Sequence, residues 1–196
     1  IRDSPMAHIQ KVLLFIALAV ILAGCLSVST PFEDDFSDPA SGWGSASHET
    51  YVRGYQLGRY LIQIDVPQWL VWTTSGRSYQ DVAVEVMARS DDARDNHYGI
   101  LCRYDEGQFY YFAVSTDGYY AIFRQTEEGD LTPLTGRAML RSSLINTDGT
   151  ENRLLAVCEG PQLIFYINGE QAAQVTDDVL TQGDVGMAAG TVDQGG

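Results

Sequence analysis

Residues 97–125 read HYGILCRYDEGQFYYFAVSTDGYYAIFRQ, and this stretch decides the fold. Three short runs, 97–104, 108–115 and 119–125, are rich in Tyr, Phe, Ile and Val. Such side chains favour extended backbone. The runs are separated by Asp105-Glu106-Gly107 and Asp117-Gly118. Asp-Gly tolerates the positive φ that a type I′ hairpin turn demands. Connections this short make neighbours antiparallel, because a parallel pair needs a long crossover.

The same grammar extends outward. Upstream runs fall at 60–65, 68–74 and 81–88, and downstream runs at 152–159, 162–167, 171–176 and 184–189. Glu128-Gly129-Asp130, Gly160-Pro161 and Asn168-Gly169 punctuate them. No stretch after Pro31 keeps a helical period, and no solenoid repeat occurs. Leu163, Phe165 and Ile167 fill one face of their run, as do Val82, Val84 and Val86. The run Phe109 to Val114 is apolar on both sides, so its second face carries aromatics. Ten such runs in one domain predict two packed antiparallel sheets or a barrel.

The chain has 196 residues, 12 Lys plus Arg, 26 Asp plus Glu and 45% hydrophobic content, for a net charge of −14. That is too apolar for a disordered chain and too short for two large domains. The negative charge excludes a nucleic-acid partner and disfavours adhesion to an anionic membrane surface.

Residues 1–5 precede Met6 and read as lying upstream of the native start. Residues 6–24 place Lys11 ahead of the apolar run 12–22. Eleven residues cannot span a bilayer core, but they fit an export signal. Leu22-Ala23-Gly24-Cys25 resembles the bacterial lipobox, the alternatives being a cleaved signal with an incidental cysteine and a signal anchor. The resemblance implies lipidation of Cys25, a membrane anchor through that lipid, and an extracytoplasmic chain on the cell or outer membrane. Residues 25–31 then form a tether. Removing Arg2, Asp3 and Lys11 leaves 10 Arg against 25 acids, a charge of −15 and no Lys. Export also permits disulfides. Cys102 and Cys158 lie in strand-like runs and are expected to pair, buried free thiols being the alternative.

Three groups of segments resemble bacterial concanavalin A-like, or laminin-G-like, jelly-roll domains. They are the opening Phe32-Glu33-Asp34-Asp35-Phe36-Ser37-Asp38-Pro39 with Ser41-Gly42-Trp43, the central hairpins from Tyr98 to Tyr120, and Asn152-Arg153-Leu154 with Phe165 to Gly169 and Val185-Gly186-Met187. The resemblance implies an all-β, two-sheet antiparallel sandwich over 32–196, with the opening segment as first strand. Such domains close with a further strand beside the first. This chain stops at Gly195-Gly196 and is expected to lack it.

No nucleophile elbow, zinc-protease motif or phosphate loop occurs. The jelly-roll glycosidases of family 16 carry Glu-x-Asp-x-x-Glu on one strand, whereas residues 81–89 hold Glu85 without a partner two residues away. The 3-keto-glycoside hydrolase or lyase/hydratase group shares the fold, but no catalytic motif maps from it. Glu85, Asp105 and His97 are candidate bases, with a solvated surface role as the plainer reading. Aromatics say more, since sugars present apolar C–H faces that suit Tyr and Trp. Strand parity puts Ile100, Cys102 and Tyr104 inward and Arg103 outward. Arg103, Tyr111, Tyr119, Arg124, Trp69 and Trp72 form the candidate ligand set, Trp69 and Trp72 on opposite faces. Asp34, Asp35 and Asp38 are candidate Ca²⁺ ligands near the first strand. The expected function is a cell-envelope lipoprotein that binds a glycan or a cell-surface protein without catalysis. The alternatives are an exported glycoside-processing enzyme and a structural envelope module.

Overall fold

The computed structural model describes residues 31–91 and 96–192. Residues 1–30, with the expected signal and Cys25, lie outside the described residues.

Among the described residues there are fourteen strands and no helix. They are β1 (Ala46–Ser47), β2 (Tyr51–Tyr55), β3 (Tyr60–Ile64), β4 (Leu70–Tyr79), β5 (Val82–Ala88), β6 (Asn96–Asp105) and β7 (Gln108–Ser115). Then come β8 (Tyr119–Gln125), β9 (Leu131–Pro133), β10 (Leu140–Arg141), β11 (Asn152–Glu159), β12 (Gln162–Ile167), β13 (Glu170–Thr176) and β14 (Gly183–Thr191). All ten expected runs are strands; β1, β2, β9 and β10 are additional. One sheet has the order β10-β8-β7-β6-β14-β4, with β9 also on β8. A second has the order β13-β12-β11-β5, and β1-β2-β3 form a third. Every pairing is antiparallel.

The core lies between the seven- and four-stranded sheets. Ile100, Phe112 and Ile122 from one meet Leu154, Leu163 and Phe165 from the other, all fully buried. The Phe112 and Phe165 rings meet edge to face at 5.6 Å. Cys102 and Cys158 form a disulfide between the two sheets, with Cα atoms 6.9 Å apart. It closes a 56-residue separation, worth about 4 kcal/mol by chain-entropy arithmetic.

The turns obey backbone chemistry, with one difference. Asn168 and Gly169 both take positive φ, at 53° and 91°, as a type I′ turn requires. Glu106 and Gly107 do the same. At Asp117-Gly118 only Gly118 is left-handed, so this hairpin does not turn as type I′.

Two expectations fail for local reasons. The opening segment 32–39 is not a strand. Asp34, Asp35 and Asp38 each accept a backbone N–H two residues on, from Phe36, Ser37 and Ala40, at 2.8–2.9 Å. These side-chain turns compete with extended pairing. Arg103 does not point outward either. The β6–β7 register shifts between Cys102 and Asp105, and Arg103 has φ 55°. A bulge resets strand parity. It carries Arg103 inward, to 1% exposure, and sends Tyr104 to the opposite face from Ile100 and Cys102.

Candidate functional site

The seven-stranded sheet has a second apolar face, away from the inter-sheet core. Leu101, Phe109, Tyr111, Ala113 and Ala188 are its buried members. Its two halves differ. Over β7 and β8, Phe109, Tyr111, Ala113 and Ala121 are fully buried, and Phe123, Leu131 and Met139 pack onto that cluster. Over β4, β14 and β6 the side chains Leu70, Trp72, Thr74, His97 and Tyr104 are half-buried and reach the surface.

Strand β14 supplies the depression between them. It is flanked by β4 on one side and β6 on the other. Its residues on this face are Asp184, Gly186, Ala188 and Gly190, since Ala188 pairs with Trp72 and Gly99, and Asp184 with Ser78 and Tyr104. Three consecutive inward positions thus carry a methyl group or less. The neighbours on both sides carry rings. The result is a shallow trough along β14, about 10 Å between the flanking strands and about 20 Å long by strand geometry. It is filled in part by neighbouring side chains: a Cβ at Gly186 would lie 3.4 Å from Leu101 Cδ1, and one at Gly190 2.3 Å from the His97 ring.

Aromatic rings lie across it. Trp72, on β4, lies 6.4 Å from Tyr104 on β6 and 5.5 Å from Phe109 on β7, so its indole reaches over β14, and Tyr104 stacks on Phe109 at 6.1 Å. Asp184, half-buried at one end, makes no ion pair among the described residues. His97 stands at the other end, paired in register with Gly190 and hydrogen-bonded through Nδ1 to Tyr111 at 3.0 Å. Burial lowers the His97 pKa to about 4, so it is a neutral imidazole and not a solvated surface group. Flat rings beside a small-residue floor, with separated polar ends, suit a ligand having apolar faces and hydroxyl edges.

The structure divides the expected ligand set. Trp72 lies across the trough, and Tyr111, on β7, is the hydrogen-bond partner of His97. Tyr119 opens β8, three strands from β14. Trp69 precedes β4, is 47% exposed, and has the opposite parity to Trp72. Arg103 donates to the carbonyl oxygens of Gln80, Leu180 and Gly160, at 2.7–3.1 Å. Arg124 shares the core-facing parity of Ile122 and pairs with Asp177. Both arginines therefore brace the sandwich, and Arg103 also lines a cavity with Gln80, Asp81, Gly160, Pro161, Asp178 and Thr181. Glu85 pairs with Arg153 at 2.8 Å in the four-stranded sheet, away from the trough.

Asp34 accepts from the Trp43 indole at 2.8 Å as well as from Phe36. Burial raises its pKa, but hydrogen bonds from Ser41, Phe36 and Trp43 outweigh this and leave it lowered. Among the described residues no three His, Cys, Asp or Glu side chains are grouped to hold a metal. Sequence reasoning missed Asp184, Thr74 and Tyr104 as trough residues. The signal available was Asp184-x-Gly186-x-Ala188-x-Gly190, an alternation whose meaning lies in what is absent.

No family model matches the chain, and no curated protein matches it in sequence. Solved structures share its fold. The carbohydrate binding module CBM66 from Bacillus subtilis superposes with a TM-score of 0.63 and 16% identity, over 84% of this chain and 98% of that one. The Bacillus licheniformis beta-glucanase gives 0.55 and 9%, over 87% of each chain. A glycoside hydrolase family 16 endo-glucanase from Bacteroides ovatus gives 0.54 and 10%, over 81% of this chain and 84% of that one. The chain is thus a concanavalin A-like jelly-roll β-sandwich. At these identities the likeness is one of fold, which binding modules and hydrolases share.

Proposed function

We propose that this protein is an exported bacterial lipoprotein, anchored through lipid at Cys25, whose sandwich binds a carbohydrate without transforming it. The observation that carries the reading is the trough along β14. Trp72 and Tyr104 form an aromatic surface over the small residues Gly186, Ala188 and Gly190, with Asp184 at one end. The fold's occurrence in a carbohydrate binding module supports it.

Recognition is favoured over hydrolysis by the count of acids. Asp184 is the one carboxylate that the register places along the trough among the described residues. Retaining glycoside hydrolysis uses two carboxyl groups about 5 Å apart. A glycan array probed with the full chain, followed by a hydrolysis assay on each hit, tests the reading. Binding without product is the expected result. Product formation would move the protein to the enzymes, and no binding to any glycan would overturn the proposal. For the anchor, mass spectrometry of the membrane fraction should find a diacylglyceryl group on Cys25, and Cys25→Ser should release the chain from the membrane.

A further inference from the structure

The contact between His97 and Tyr111 fixes more than a ring position. Tyr111 is fully buried, and its hydroxyl has one hydrogen-bond partner among the described residues, His97 Nδ1. Burial holds this phenol protonated, with a pKa well above its usual range. A buried O–H without an acceptor costs about 1–3 kcal/mol, so the hydroxyl donates to Nδ1. A neutral imidazole carries a single N–H. Nδ1 being the acceptor, that N–H is on Nε2.

The free edge of the ring lies over Gly190. A Cβ built there would come within 2.3 Å of His97 Cε1 and 2.5 Å of Nε2. The missing side chain is therefore what gives the ring its place in the trough. Nε2 has no hydrogen-bond partner among the described residues. His97 pairs in register with Gly190 and Ser115, Leu70 lies beyond Gly190 on β4, and Tyr111 reaches it by its hydroxyl; none of these four is charged.

We propose that His97 is a binding residue of the trough, donating its Nε2–H to an oxygen of an uncharged oligosaccharide that also lies against Trp72 and Tyr104. The proposal rests on the carbohydrate-binding reading and names the class of sugar. Position follows from the sheet. Trp72 on β4 and His97 on β6 are two strand spacings and one row apart. The His97 ring lies over Gly190 and the Trp72 indole reaches over β14, so both face the same strip of the sheet. Charge follows from the lining. The trough carries Asp184 and no cation among the described residues, on a protein of net charge −14. Acidic polysaccharides would be repelled.

Long-range proton–nitrogen NMR on the full chain reads the tautomer without any ligand. Protonated Nε2 with acceptor Nδ1 is expected, and an Nδ1–H tautomer overturns the proposal. Binding is then measured with the neutral oligosaccharide that the array selects. His97→Asn keeps an acceptor for Tyr111 and loses the outward donor, so affinity should fall about fivefold to tenfold. His97→Gln, which places an amide N–H near the Nε2 position, should recover most of it. Matching unfolding midpoints would show that both variants fold. If Trp72→Ala abolishes binding while His97→Asn binds like the parent, the trough reading survives and this proposal fails. If no glycan of either kind binds, both fail. Preferential binding of acidic over neutral oligosaccharides overturns this proposal and leaves the carbohydrate-binding reading standing.

Discussion

The guanidinium of Arg103 donates to the carbonyl oxygen of Gly160 at 2.7 Å, just beyond the Cys102–Cys158 disulfide. Covalent and hydrogen-bonded ties between β6 and the β11–β12 hairpin thus sit side by side. Arg103 also reaches Gln80 and Leu180, so one cation satisfies carbonyl groups from three chain segments. Asp81 at 3.7 Å balances part of its charge.

Replacing Arg103 by Met should therefore cost stability more than function. It leaves the carbonyl oxygens of Gln80, Leu180 and Gly160 without their donor, and about 1–3 kcal/mol is expected from that loss. Denaturant unfolding measures it. Arg103→Lys should recover little, because one ammonium cannot match the spread of the guanidinium donors.

Reduction of the disulfide should lower stability by about 4 kcal/mol. The measurement compares unfolding of the chain with and without reductant. The Cys102→Ala/Cys158→Ala variant should resemble the reduced chain and be indifferent to reductant.

Acid should destabilise the fold through His97. Burial depresses its folded pKa from 6.5 to about 4. The neutral form is thus preferred in the folded state, and the unfolded chain takes up the proton first as pH falls. The contribution is present above pH 6.5 and is lost as pH falls through about 4, a change of up to about 3 kcal/mol. Unfolding midpoints across this window should show the loss in the parent chain. His97→Asn should flatten that part of the profile.

Gly190→Ala tests the floor of the trough. The added methyl meets the His97 ring at 2.3 Å, and displacing the ring breaks its bond to Tyr111. A destabilisation of about 1–3 kcal/mol is expected from the crowding, with weaker glycan binding measured on the same variant.

Much of the sandwich was legible because its strands alternate. Leu163, Phe165 and Ile167, or Val82, Val84 and Val86, point one way by simple parity, and the hairpins from residue 97 to 125 announce their own turns. The candidate site was less legible. A single left-handed residue, Arg103, exchanges the faces of Arg103 and Tyr104, and nothing in the residue type forecasts a positive φ there. Candidate ligand residues were sought as large outward side chains, whereas the trough depends on Gly186, Ala188 and Gly190, whose small size lets His97 and Trp72 lie over β14. The opening segment misled for a third reason. Its aspartates cap local turns instead of letting the backbone pair with a neighbour.

The central claim is that the β14 trough binds carbohydrate. Titration calorimetry of the full chain and its Trp72→Ala variant, with the neutral oligosaccharide selected on the array, tests it most directly. The account predicts saturable binding that weakens about tenfold or more in Trp72→Ala, as expected for loss of a ring from a sugar contact, and stays unchanged in Trp69→Ala. Equal affinity for the parent and Trp72→Ala, or a loss confined to Trp69→Ala, would contradict it.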